Sequence, residues 1–127
     1  MKQRDTALRT KRFETTEKAR KVTLLETMVQ DFENLAADLA RQIAAEEERT
    51  GVKDAAHFAY STFAKAAAQR RGNLLTSLAD LKAKLDTAKR DHEEAALELG
   101  KLEPSAVETS DSDRTLAKVE RDRAMLG

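Results

Sequence analysis

Apolar residues recur at alternating intervals of three and four along two long stretches of the chain, and this spacing constrains the fold more than any other feature. The first run is Val22, Leu25, Val29, Phe32, Ala36, Leu39 and Ile43; the second is Leu74, Leu78, Leu81, Leu85 and Ala88, followed by Ala95, Leu99 and Leu102. A mean step of 3.5 keeps one narrow apolar seam on a helix surface, and a second helix must cover that seam. Gly51 and a short polar stretch separate the two runs, so the second can fold back against the first. The expected fold class is all-α: a long antiparallel two-helix coiled-coil hairpin with a short C-terminal helical tail. Because both seams come from one chain and satisfy each other, the isolated protein is expected to be mainly monomeric.

Composition narrows the alternatives. Charged residues make up 36% of the 127 and aromatics 4%, with one Pro, which suits a solvated helix pair and disfavours a thick core or a β-sheet. The absence of Cys excludes a disulfide framework and thiolate chemistry, and suits a reducing compartment. MKQRDTALRTKR, at the start, has no apolar core and is not read as a secretory signal. Residues 55–64 form the longest uncharged stretch in the middle and are far too short to span a bilayer, so a soluble protein with no membrane insertion is expected.

The first helix is expected over about 5–49, the turn over about 50–60, and the second helix over about 61–102, giving a hairpin domain of 1–103. Thr50-Gly51 supplies a C-terminal stop, Asp54 a cap for a short turn, and Ser61 a cap for the second helix. Ahead of Val22 the seam positions hold Lys11, Thr15 and Lys18, so the N-terminal third reads as a weakly packed arm. Gly72 reads as permitting close helix approach or a slight bend. Pro104 ends the second helix, and residues 104–127 read as a flexible linker plus a short C-terminal helix carrying Leu116, Val119 and Leu126. A dozen residues are too few for a stable isolated helix, so this one would fold only on the hairpin or on a partner.

Charge is balanced overall but unevenly spread. Residues 1–21 carry eight bases against three acids, +5, whereas residues 103–113 carry four acids and no base. The basic end invites an acidic surface. Around it stand Arg9, Lys11, Arg12, Lys18 and Arg20, the candidate contacts to such a partner.

No catalytic or cofactor chemistry is expected. His92-Glu93-Glu94-Ala95-Ala96 starts like the zinc-protease helix, but the second His is replaced by Ala96, and two ligands one turn apart are what that motif requires. His92 instead falls on the seam between Ala88 and Ala95, as a polar residue that sets register. The four glycines are scattered and none precedes Lys-Ser/Thr, so no phosphate-binding loop is present. Glu46, Glu47 and Glu48 are expected to face Arg70 and Arg71 in an ion-pair cluster once the chain folds back. Three of the five aromatics, Phe58, Tyr60 and Phe63, cluster at the turn, either as a structural cap or as a recognition patch.

HFAYSTFAKAAAQRRGNLL (residues 57–75) and RDTALRTKRFETTEKAR (residues 4–20) resemble the FliJ family, the coiled-coil subunit of the bacterial flagellar type III export apparatus. The resemblance covers roughly the first two thirds of the chain. It implies a non-catalytic, cytoplasmic, stalk-like coiled coil that sits in the hexameric export ATPase, contacts the export-gate membrane protein at the inner-membrane flagellar base, and handles substrate chaperones. On that footing Phe58, Tyr60, Phe63, Arg70 and Arg71 would meet the gate, and Arg9, Lys11, Arg12, Lys18 and Arg20 the ATPase ring. From Leu102 onward the chain departs from the family pattern, in which the second helix continues. Two other readings use the same residues: a coiled-coil adaptor or chaperone of another complex, and a basic-zipper DNA-binding protein. Phe32 in place of a zipper Leu, and acids among the N-terminal bases, favour partners other than nucleic acid.

Overall fold

The computed structural model describes residues 2–103, and these are all-helical apart from one connection. Helix α1 spans Lys2–Thr50 and helix α2 spans Thr62–Leu102; the two pack against each other, with no strand among the described residues. α1 thus begins at Lys2, before Asp5, and α2 at Thr62, immediately after Ser61. The expected linker and helix of 104–127 lie outside the described residues.

Stop and start signals act locally. Gly51 takes a left-handed conformation (φ 74°) and donates its N–H to the Glu47 carbonyl at 2.9 Å, closing the last turn of α1 at the residue type that adopts this geometry without a Cβ clash. Asp54 Oδ1 accepts the Ala56 N–H at 2.9 Å, forming a small turn, and Ser61 Oγ accepts the Ala64 N–H at 3.2 Å as the cap of α2. Thr50 Oγ1 accepts the Val52 N–H at 3.3 Å.

The helices divide into two compact units, one of residues 20–89 and one combining the residues up to Ala19 with those from Arg90 onward. In the 20–89 unit, contacts run in opposite order along the two helices: Glu47 with Tyr60, Glu46 with Ser61, Ala36 with Arg71, and Glu33 with Lys82. A row of covered positions runs through Val22, Leu25, Val29, Phe32, Ala36, Leu39, Ile43, Glu46 and Thr50 on α1, with Met28, Glu33, Ala40 and Glu47 half-covered beside it, and through Ala64, Ala67, Arg71, Leu74, Leu78, Leu81, Leu85 and Ala88 on α2. Steps of three and four alternate along both rows. The core lies where Leu25, Leu81 and Ala88 are buried and Val22, Met28, Val29, Phe32 and Leu85 pack against them. Nearer the connection, buried Ala36, Ala64 and Ala67 replace leucine, and small side chains there leave little apolar area to bury.

In the other unit the seam continues in the same rhythm with different chemistry. Leu8, Lys11, Thr15 and Lys18 are half-covered on α1; on α2 Ala95 is buried and His92 and Leu99 are half-covered. Polar residues occupying seam positions cost stability and fix register. The close helix approach expected at Gly72 is not seen, since nothing lies within 4 Å of where its Cβ would stand and its helix face is open.

Candidate functional site

Two groups of residues were singled out by sequence, and the structure treats their members differently. Within the connection, His57 organises the backbone: its N–H bonds the Asp54 carbonyl, its carbonyl accepts the Tyr60 N–H, and its Nδ1 accepts the Ala59 N–H, all at 3.0 Å. That arrangement projects Phe58 outward, 96% exposed and covered only by stacking on the His57 ring at a centroid distance of 4.7 Å. Phe63, in the first turn of α2, is 56% exposed. Tyr60 is different. It is half-buried, and its hydroxyl donates to Glu47 Oε2 at 3.1 Å. Desolvation first, then the Glu47 carboxylate, raises the pKa of that hydroxyl. The three aromatics therefore separate into one anchoring residue, Tyr60, and two exposed ones, Phe58 and Phe63.

The expected cluster of Glu46, Glu47 and Glu48 with Arg70 and Arg71 does not form. Glu46 takes Arg49, one turn on in its own helix, and the Ser61 hydroxyl at 2.9 Å, while Glu47 takes Tyr60. Arg71 occupies a seam position, half-buried, and donates through Nε to the Ala36 carbonyl at 3.3 Å; Arg70 is exposed. The reason is periodicity: two steps back from Leu74 along the seam lies Arg71 and then Ala67, so the helix turns Arg71 inward toward α1 and away from the acids near the connection. Arg71 is thereby a structural contact.

The basic arm is answered inside its own unit. Lys11 is half-buried and ion-paired with Glu98 and, at 3.3 Å, with Glu14; Arg12 pairs with Glu103. Residues 2–19 carry six bases against three acids, and residues 90–103 carry five acids against two bases, so +3 meets −3. Lys18 is half-covered, whereas Arg9 and Arg20 are exposed. The sequence reading placed the acidic balance in 103–113 and missed Asp91, Glu93, Glu94 and Glu98 as its nearer source. Pairing residue numbers across the turn, with Lys11 opposite the last turns of the second helix, would have located it.

These pairs set a pH response. The hydrogen bond from Lys11, then its charge, holds the Glu98 carboxyl below its usual range; Arg49 first and Ser61 second do the same for Glu46. The hydrogen bond to Glu98 raises Lys11. A depressed carboxyl stabilises the fold above its unfolded value and loses that contribution as pH falls through the folded one; a raised lysine contributes below its unfolded value and loses it as pH climbs through the folded one. Between about pH 5 and 10 Glu46, Glu98 and Lys11 keep their charges, because the ordinary values are 4.5 for the carboxyls and 10.5 for Lys11. Stability is expected to be flat across that interval and to fall on the acid side of it. Glu98→Gln should make the acid limb of a thermal-melt series shallower; an unchanged limb would show that Glu98 has no part in it.

Among the described residues, no group of three or more His, Cys, Asp or Glu could hold a metal ion, and no helix is long and apolar enough to cross a membrane. Comparison of the chain with protein-family models, with curated proteins and with solved structures gave no match.

Proposed function

We propose that this chain is a non-catalytic component of the bacterial flagellar export machinery, an antiparallel coiled-coil hairpin that links the hexameric export ATPase to the cytoplasmic part of the export-gate membrane protein. It works in the cytoplasm at the inner-membrane flagellar base and assists substrate chaperones. The observation that carries this reading is the row of covered residues spaced alternately three and four apart on each helix, with Phe58 and Phe63 left outside it at the connection. A helix pair of this kind offers partners a surface and no reaction centre. The exposed aromatics have the character of an interface anchor for the gate.

The ATPase ring takes the basic arm, with Arg9 and Arg20 as exposed cations and Lys11 and Arg12 supporting the arm through Glu98 and Glu103. Arg9→Glu is expected to weaken binding to the purified ATPase several-fold and flatten its salt dependence, leaving gate binding unchanged. Binding that ignores both the substitution and the salt concentration would remove the electrostatic contact. An adaptor of another complex shares the coiled-coil features and differs only in partner, which a pull-down from flagellated cells distinguishes. A basic zipper requires a basic helix open to DNA, and the pairing of Lys11 with Glu98 of α2 and of Arg12 with Glu103, the next residue after α2, disfavours it.

A further inference from the structure

On one flank of the 20–89 unit, a second pair of residue rows runs beside the seam. On α1 the row is Lys21, Leu24, Met28 and Asp31; on α2 it is Ser77, Asp80, Lys84 and Thr87, each with steps of three, four and three. That spacing keeps each row on one helix face, and two adjoining hollows show that the two faces share a flank. Lys21 and Thr87 line a hollow of about 380 Å³, Met28, Asp80 and Ser77 line one of about 220 Å³, and Lys84 borders both. The rows therefore lie side by side in opposite order. Leu24 is 61% exposed and Met28 half-covered. Among the described residues, Lys21, Asp31, Asp80 and Lys84 make no ion pair.

These charges are ordered so that the flank complements itself. In the α1 row the apolar residues are central and opposite charges stand at the ends; in the α2 row opposite charges are central and hydroxyls stand at the ends. A two-fold axis running across both helices, through the middle of the rows, lays a second copy antiparallel on the first. Lys21 then meets Asp31 of the second copy, Leu24 meets Met28, Lys84 meets Asp80 and Thr87 meets Ser77, each contact occurring twice. The exposed Leu24 of one copy stands over the hollow beside Met28 of the other and loses its contact with water. The other face-to-face axis, along the helices, would lay Leu24 on Lys84 and Met28 on Asp80, setting charges against apolar side chains without partners. These rows supply far fewer residues than the roughly 20–30 a side of a standard interface, so the contact is weak and reversible and the dilute chain is monomeric.

We propose that this flank is a self-docking surface on which two copies of the chain pair antiparallel about that axis. The inference concerns copies of this chain and does not rest on the flagellar assignment. Sedimentation equilibrium of the full chain, from about 1 to 500 µM, tests it. A reversible monomer–dimer equilibrium with Kd of about 100 µM is expected at low salt, weakening as salt rises. Lys84→Asp sets like charges across the axis twice and should raise Kd about tenfold. The double variant Asp80→Lys/Lys84→Asp exchanges the two charges, restores opposite pairs across the axis, and should return Kd to within about threefold of the original. Leu24→Ser should also raise Kd about tenfold, through two lost apolar contacts. A chain that stays monomeric across the whole range at low salt would overturn the proposal, as would association that ignores both Lys84→Asp and Leu24→Ser. An exchanged double variant as weak as Lys84→Asp alone would overturn the two-fold pairing. Growth beyond dimers would overturn it as well, because a two-fold contact closes on itself.

Discussion

Leu81→Ala is expected to cost about 2–4 kcal/mol and to lower the thermal midpoint by roughly 10–20 °C, read by circular dichroism. The size follows from how few large side chains the pair buries. Of eight buried apolar residues among those described, five are alanines, leaving Leu25, Leu78 and Leu81 as the large contributors. Leu81 joins Leu25 and Ala88 in the core, with Phe32 and Leu85 packed against the cluster. Truncation there removes transfer energy and leaves a gap that the flanking seam residues only partly close. A two-helix layer collapses more readily than a multilayered core, which places the cost toward the lower half of the range. A loss under about 1 kcal/mol would mean that the cluster does not carry the stability assigned to it.

Removing Phe58 and Phe63 together is expected to do the reverse, sparing the fold and damaging recognition. Both are exposed, and neither belongs to the seam, so the double Ala variant should melt within about 0.5 kcal/mol of the original. Affinity for the gate component should fall by about 2 kcal/mol or more, close to 30-fold, as for a truncated aromatic anchor. Tyr60→Phe serves as the structural comparison, because it deletes the hydroxyl bonded to Glu47 and leaves the ring. Should the Phe58/Phe63 variant bind normally, the connection is not the contact surface.

The sequence makes the helices legible because their signals are local. Gly51, Asp54 and Ser61 each act through hydrogen bonds to backbone within a few residues, and the places where these stops and caps fall are readable from residue type. The seam from Val22 to Ile43 is equally plain. Arg71 was harder to place than Lys11, since a charged residue on an apolar stripe reads as an interruption. Their long stems let the methylenes cover the seam while the charged heads reach a carbonyl or a carboxylate at its edge, so the stripe passes through both. Following the three-four count back from Leu74 through Arg71 to Ala67 and Ala64 would have recovered the start of the second seam. The split of the aromatics into one anchored and two exposed was not legible. It depends on Glu47 standing opposite Tyr60, a relation between residues 13 apart that only the folded connection creates.

The central proposal is that this chain acts on a partner ATPase and has no turnover of its own. Steady-state ATP hydrolysis by the purified flagellar export ATPase, titrated with this protein, tests it directly. A saturable rise in ATP turnover, with none from this protein alone, is the result expected of a coiled-coil subunit seated in the ring. Turnover that stays constant at saturating protein, together with no co-purification of the two, would contradict the assignment and leave an adaptor of another complex in its place.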